Sequence, residues 1–225
     1  MPATLTILVP VYNERTTLAA VMAIVSGTLP DAQIVYVDDG STDGSAKILD
    51  ADARPQDIVL HQKNGGKGSA IRAGLAKATG AYTVIQDADV EYDPKDIRLL
   101  LDCAMHCPGS AVFGSRFLQP NPNIYRRYLW GNKVLTLILN ILYGANITDS
   151  YTCYKLLPTP LFQALDLTAN GFELEAEICA KCLLKGIPIE EVPISYHPRT
   201  LEEGKKIGWK DAWKGLKMMV RLRWR

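Results

Sequence analysis

Four carboxylates at alternate positions, Asp87, Asp89, Glu91 and Asp93, follow the apolar run Tyr82-Thr83-Val84-Ile85 in the stretch AYTVIQDADVEYDP. Like charges so closely spaced repel, and a carboxylate withdrawn from water is costly unless a counter-charge meets it. In an extended segment the side chains at i and i+2 point to the same side. Asp87, Asp89 and Glu91 are therefore candidate ligands of one divalent cation, Mg2+ or Mn2+, whose remaining oxygens a diphosphate would supply. Asp93, before Pro94, reads instead as a cap for the next helix. Aspartyl-nucleophile phosphatases also carry D-x-D after an apolar strand. They want Thr or Val two residues beyond the second Asp, where this chain has Glu91.

Other candidates sit at equivalent places. VPVYNE follows the first apolar run and lacks the G-x-G-x-x-G that brings a backbone against a pyrophosphate, which argues against a dinucleotide oxidoreductase. Asn13 within it is a candidate helix N-cap. VDDGSTDGS puts Asp38 and Asp39 where a ribose or base edge could be bonded; the plain alternative is an Asp-Gly turn. NGGKGSAIRAG places Lys67 and the backbone N–H groups around Gly68 at a helix start, suited to a phosphate. Its spacing is not that of a Walker A loop. CAMHC and CAKC could offer Cys103, His106, Cys107, Cys179 and Cys182 to zinc, but both lie in Leu- and Ala-rich helical patterns and read as core thiols.

These groups need a scaffold that gathers them. Apolar runs at 4–11, 32–40, 57–62, 81–89 and 110–117 alternate with helical patterns at 14–27, 43–51, 66–80 and 94–107. Repeated β-α units imply a mainly parallel sheet with helices on both faces. Ligands bind such sheets at the carboxyl ends of the strands, where Asn13, Glu14, Asp38, Asp39, Asp87, Asp89 and Arg116 fall. After Phe117 the loop-like, basic and aromatic LQPNPNIYRRYLWGNK opens what reads as a second lobe.

Composition sets the bounds. The chain has 225 residues, 48% hydrophobic, with a net charge of +1. That is ample for a core, and neither disorder nor a nucleic-acid-binding surface is indicated. The five cysteines read as reduced thiols, and MPATLTILVPVYNE has no charged n-region or cleavage site. No stretch approaches the ~20 apolar residues of a membrane span. The expected location is cytoplasmic, peripheral at the cytoplasmic face of a membrane.

Together VPVYNE, VDDGSTDGS, NGGKGSAIRAG, QDADVEYDP and GSRF form an ordered set that resembles the family 2 glycosyltransferases with the GT-A fold. Within them it looks most like the dolichyl- or polyprenyl-phosphate sugar synthases, the dolichyl-phosphate mannose synthase-like branch. The resemblance continues through TDSYTCYKLLP, GFELEAEICAK and EVPISYHPRTLEEGKKIGW. It implies one catalytic domain over 1–204, with a nucleotide-binding half at 1–117 and an acceptor half at 118–204. It also implies that Pro10, Tyr12 and Glu14 line a nucleotide pocket, with Val37 and Asp39 at the base and ribose. Asp87, Ala88, Asp89 and Glu91 would surround the metal and diphosphate. Arg116 would approach the phosphates or sugar. Arg199 and Lys206 would lie in a segment that closes over donor and acceptor, and Arg126 or Arg127 would meet an acceptor phosphate. The family has Gln or another polar residue where this chain has Glu91.

The implied reaction is metal-dependent, inverting transfer of a sugar from a UDP- or GDP-linked donor to a polyprenyl phosphate. Asp87 and Asp89 would hold the ion that stabilises the leaving diphosphate. A phosphate acceptor is already an anion and needs only positioning. A saccharide or protein hydroxyl would want a carboxylate base, and Asp149 or Glu173 is the candidate. A non-catalytic sugar-nucleotide-binding protein is a further alternative. A sugar-1-phosphate nucleotidyltransferase lacks its glycine-rich, basic first loop here.

The tail has its own chemistry. Residues 205–225 carry eight Lys or Arg and one acid, about +7 against about −6 for the rest. On a helix, Trp209, Trp213, Leu216, Val220 and Trp224 share one stripe flanked by Lys210, Lys214, Lys217 and Arg221. A basic amphipathic helix of this kind suits an anionic membrane surface; docking against the body is the plain alternative. YLWGNKVLTLILNILYG is a candidate second interfacial surface or a core helix.

Overall fold

The computed structural model describes residues 4–121, 126–198 and 209–224, with backbone alone at 126–129 and 209. One seven-stranded sheet organises them, in the order β3-β2-β1-β4-β6-β5-β7. Its strands are β1 Leu5–Val11, β2 Gln33–Asp38, β3 Ile58–His61, β4 Tyr82–Ile85, β5 Ala111–Ser115, β6 Lys155–Pro158 and β7 Ile189–Pro193. β1, β2, β3 and β4 run parallel. β6 lies antiparallel to both β4 and β5. Two reversals leave β5 parallel to β4, and β7 follows β5. The carboxyl ends of β1, β2, β4 and β5 therefore share one edge, as the sequence pattern requires. β6 comes from the 118–204 half and is inserted between β4 and β5 of the 1–117 half, so the halves share this sheet.

The strands read as unbroken apolar runs because both faces are covered. Ile7, Val9, Ile34, Val35, Val84 and Phe113 are fully buried. The helices are α1 Leu18–Thr28, α2 Ser45–Asp52, α3 Lys67–Leu75, α4 Asp96–His106, α5 Arg126–Tyr143, α6 Thr159–Gln163, α7 Leu174–Leu184 and α8 Trp209–Arg223. α3 packs on β1 and β2, α4 on β5, β6 and β7, and α8 on α7 and α5.

Two helix boundaries differ from the sequence reading. α1 starts at Leu18, with Thr17 rather than Asn13 before it. Asn13 has a left-handed φ of 53° and is used as a loop clasp. α3 ends at Leu75, well short of Gly80. A Cβ at Gly80 would lie 2.6 Å from the backbone of Leu5 and Thr6, so glycine is there for close approach to β1, not for helix termination. Asp93 is not the cap of α4, which Lys95 precedes without a side-chain cap bond; its Oδ1 instead accepts the Lys95 N–H at 3.0 Å in the turn before the helix.

α8 docks through a face other than its tryptophan stripe. Gly215 and Met219 point inward, and the Met219 carbonyl accepts the Tyr143 hydroxyl of α5 at 2.6 Å. Trp213 and Trp224 are 54% and 72% exposed, Val220 is exposed and Leu216 is half-buried. The Trp209 side chain lies outside the described residues. On α5, Trp130, Val134, Leu137 and Ile141 are exposed in steps of four, three and four, while Thr136 and Leu139 are buried. No helix among the described residues is long and apolar enough to cross a membrane.

Candidate active site at the carboxyl edge of the sheet

The loops after β1 and β2 are zipped together by side chains on backbone. Asn13 N–H donates to Ser41 Oγ at 3.0 Å, and Asn13 Oδ1 accepts the Thr42 N–H at 2.8 Å. Glu14 N–H donates to Ser45 Oγ at 2.9 Å, and Arg15 N–H to Asp43 Oδ2 at 2.9 Å. Tyr12 is exposed beside this clasp, and Pro10 and Glu14 are half-buried.

The aspartates after β2 act first on the chain itself. Asp38 accepts the Ser41 N–H at 3.1 Å and lies 3.2 Å from His61 Nδ1. Asp39 accepts Gln62 Nε2 at 2.6 Å and the N–H groups of Gly65 and Gly66 at 2.8 and 2.7 Å. This buried carboxylate orders the 62–66 loop, whereas the local turn weighed for the segment is closed by Asp38 on the Ser41 N–H. Val37 is buried, with its side chain against Gly74 of α3, so it can offer a ligand only its backbone.

The glycines of NGGKG do not cradle a phosphate. Gly68 N–H donates to the Asn170 carbonyl at 2.7 Å, so the start of α3 is capped by the chain. A Cβ at Gly68 would lie 2.2 Å from the Ala169 carbonyl oxygen, and one at Gly66, where φ is +91°, 2.4 Å from that of Asn170. Close passage of residues 169–170 is what demands glycine. Arg72 grips the same segment, donating to the Ala169 carbonyl and to Asn170 Oδ1.

Lys67 is placed for charge. Its Nζ lies 2.8 Å from Asp87 Oδ1 and 3.0 Å from Glu175 Oε1. Glu175 Oε2 lies 2.5 Å from Nζ of the fully buried Lys155, which also donates to the Thr152 carbonyl. Acid and base thus alternate inward from Asp87 through Lys67 and Glu175 to Lys155. Burial works against both ammonium groups, but the Asp87 carboxylate beside Lys67, and Glu175 beside both, hold both pKa values above the usual lysine range. Sequence reasoning missed Glu175 and Lys155. The signals were a lysine inside an apolar strand pattern and alternate acids at the start of α7.

Asp87, Asp89 and Glu91 do not converge. Glu91 Oε2 accepts the Tyr196 hydroxyl at 2.9 Å, and Glu91 O accepts the His197 N–H at 2.8 Å. No group of three or more His, Cys, Asp or Glu suited to a metal occurs among the described residues. The triad expected from alternation is not formed: the chain leaves the strand after Ile85 and bends over 88–91, where Asp89 Oδ1 accepts the Glu91 N–H at 3.2 Å. Ala88 is buried, its carbonyl accepting the Thr17 hydroxyl at 3.0 Å. Two carboxylates fit a hard cation that takes its other oxygens from substrate phosphates.

Arg116 and Asp149 form a buried bidentate pair, Nε to Oδ2 at 2.7 Å and Nη2 to Oδ1 at 2.8 Å. Glu191 accepts the N–H groups of Thr148 and Asp149, and the Tyr196 ring lies 5.0 Å from the guanidinium. Both Asp149 carboxylate oxygens are thus committed to anchoring Arg116. Glu173 Oε1 accepts the Gly171 N–H at 3.1 Å, while its buried Oε2 has no hydrogen-bond partner among the described residues. Arg199 and Lys206 lie outside the described residues. Arg126 and Arg127 open α5, with side chains likewise outside them. Cys179 and Cys182 are buried in α7, and burial pushes the Cys179 thiol up to about 12.

The glycosyl transferase family 2 model matches residues 6–165, and the chain belongs to that family. Its fold is the GT-A α/β fold. The hexosyltransferase Agl6 of low-salt glycan biosynthesis in Haloferax volcanii is 29% identical over 96% of this chain. This chain spans about half (53%) of that protein's length. The polyprenol monophosphomannose synthase of Mycolicibacterium smegmatis is 30% identical, over 90% of this chain and 80% of that one. Glucosyl-3-phosphoglycerate synthase from Mycobacterium tuberculosis, solved with Mn2+, UDP and glucosyl-3-phosphoglycerate, superposes with a TM-score of 0.75. It is 18% identical, over 97% of this chain and 79% of that one.

Asp149→Asn separates an anchor from a base. Leaving Arg116 buried without its anion should cost roughly 3–5 kcal/mol and lower the urea midpoint. An unchanged midpoint with lost turnover would make Asp149 a base.

Proposed function

We propose that this chain is a glycosyltransferase that moves a sugar from a UDP- or GDP-linked donor to a polyprenyl phosphate, with a divalent cation at Asp87 and Asp89. The observation that carries the reading is this pair of carboxylates at the carboxyl end of β4, with the Lys67 ammonium 2.8 Å from Asp87. The catalytic unit is residues 1–204. When bound, the cation would stabilise the charge that develops on the departing diphosphate. Asp87 and Asp89 would hold it, and Lys67 would face the same charge. The clasped loops bearing Tyr12, Asn13 and Glu14, and the loop ordered by Asp39, would frame the nucleoside. Arg116 is held rigid for an anionic group at this edge, with Arg126, Arg127, Arg199 and Lys206 as the cations proposed for acceptor and donor.

The commitment of Asp149 to Arg116 supports a phosphate acceptor, which needs no base, and direct displacement with inversion. Glu173, with an unpartnered Oε2, favours a second reading in which the acceptor is a hydroxyl. The test is release of UDP or GDP from a panel of nucleotide sugars with Mg2+ or Mn2+, with and without a short polyprenyl phosphate. Release that requires the lipid phosphate is expected. Release with a saccharide alone would move the acceptor to a hydroxyl and Glu173 into the base role.

A lipid-linked acceptor requires a membrane surface, and we assign the contact to α5 and α8, from a peripheral position at the cytoplasmic face. The two helices pack together, and each exposes a large apolar stripe. Exposed Lys210, Lys214, Lys217, Arg221 and Arg223 match an anionic headgroup layer. Vesicles containing phosphatidylglycerol should sediment the protein. Ile141→Ser with Trp224→Ser should reduce that binding at least several-fold while leaving the Tm in place. Binding unaltered by the double change would remove the assignment.

A further inference from the structure

The proposed cation and Lys67 make claims on one carboxylate. Lys67 Nζ is already 2.8 Å from Asp87 Oδ1. A dication on that carboxylate would meet a positive charge at hydrogen-bond range, and the two repel. The ammonium has a second counter-charge beside it, an ion pair without a hydrogen bond. Glu175 Oε1 lies 3.0 Å away, and Glu175 is fixed from behind by Lys155. Glu175 is buried, whereas the Asp87 side chain is 24% exposed. Asp87 can therefore be given up to a ligand entering from solvent while Lys67 stays on Glu175. The Phe172 ring, 5.9 Å from the ammonium, lines the same position.

We infer that Lys67 is an internal counter-ion for Asp87 that keeps a divalent cation weakly bound until a nucleoside diphosphate arrives, with Glu175 as the positioning residue that retains the ammonium. The diphosphate brings negative charge that both cations can share, so nucleotide and metal bind with positive coupling, and the coupling is reciprocal. The inference rests on the proposed metal site and adds an order of events to it. A metal that enters only with its nucleotide does not sit on bare carboxylates.

Mn2+ itself is the probe, with free ion read by its electron paramagnetic resonance signal in titrations with and without UDP or GDP. For the wild-type chain, Mn2+ alone should bind weakly, and one of the nucleotides should tighten it at least tenfold. Lys67→Met should bind Mn2+ alone roughly tenfold tighter than wild type, the scale set by removing one unit charge facing a dication, and its coupling should shrink. Lys67→Arg keeps the charge and should keep the wild-type pattern. Glu175→Gln leaves Asp87 as the carboxylate partner of Lys67 and should weaken Mn2+ binding, so the inference stays falsifiable if Lys67→Met does not fold. Mn2+ affinity unchanged or weaker in Lys67→Met, with nucleotide coupling intact, would overturn the counter-ion role and leave the metal site standing. Absence of Mn2+ binding in every form, nucleotide included, would overturn the metal site and this inference together.

Discussion

Charge at the rim of an apolar sheet has to be neutralised where it stands, and the rest of this structure follows from how that is done. Lys67 joins Asp87 to Glu175, and Lys155 completes the chain beneath. Arg116 and Asp149 form a second neutral unit at the end of β5. Each pair is drawn from segments far apart in sequence, so the charges are matched only when the sheet has assembled. An unpaired member would be costly at these burials. The same pairing fixes the positions of the groups that a ligand would meet.

Much of the scaffold was legible because its cause is local. The runs at Leu5–Val11, Gln33–Asp38 and Ala111–Ser115 are mostly apolar, as a strand covered on both faces must be. The polar residues that end them mark the functional edge for the same reason. β6 was not legible: its four residues begin with Lys155, whose charge is tolerable only through Glu175, twenty residues on. The NGGKG glycines invited a phosphate reading because their other partner, the backbone at 169–170, lies about a hundred residues away. Alternation also drew Glu91 into the metal reading, but β4 ends at Ile85 and the chain bends from Ala88 to Glu91, so the extended geometry on which that argument rests is not kept, and Glu91 turns to Tyr196.

The segment leading to residue 199 is joined to the acidic loop. Tyr196 bridges to Tyr92, donates its hydroxyl to Glu91 and lies over Arg116. Glu91 thus has a structural use in place of the ligand role that alternation suggested. It ties the loop carrying Asp89 to the strand end beside the buried arginine pair. α5 and α8 bury Leu139, Gly215 and Met219 among themselves and their neighbours and leave Trp130, Trp213 and Trp224 exposed. Of the α8 stripe, Trp213, Val220 and Trp224 face outward and Leu216 is half-buried, while small Gly215 allows close approach to Tyr151 on the other face.

The central claim is that Asp87 and Asp89 complete a divalent cation together with a nucleoside diphosphate. Crystals grown with UDP or GDP and Mn2+, with diffraction recorded at the manganese absorption edge, test it most directly. An anomalous peak within coordination distance of an Asp89 or Asp87 carboxylate oxygen and of the diphosphate is the predicted result. Nucleotide bound at this edge with no peak beside either aspartate would contradict it.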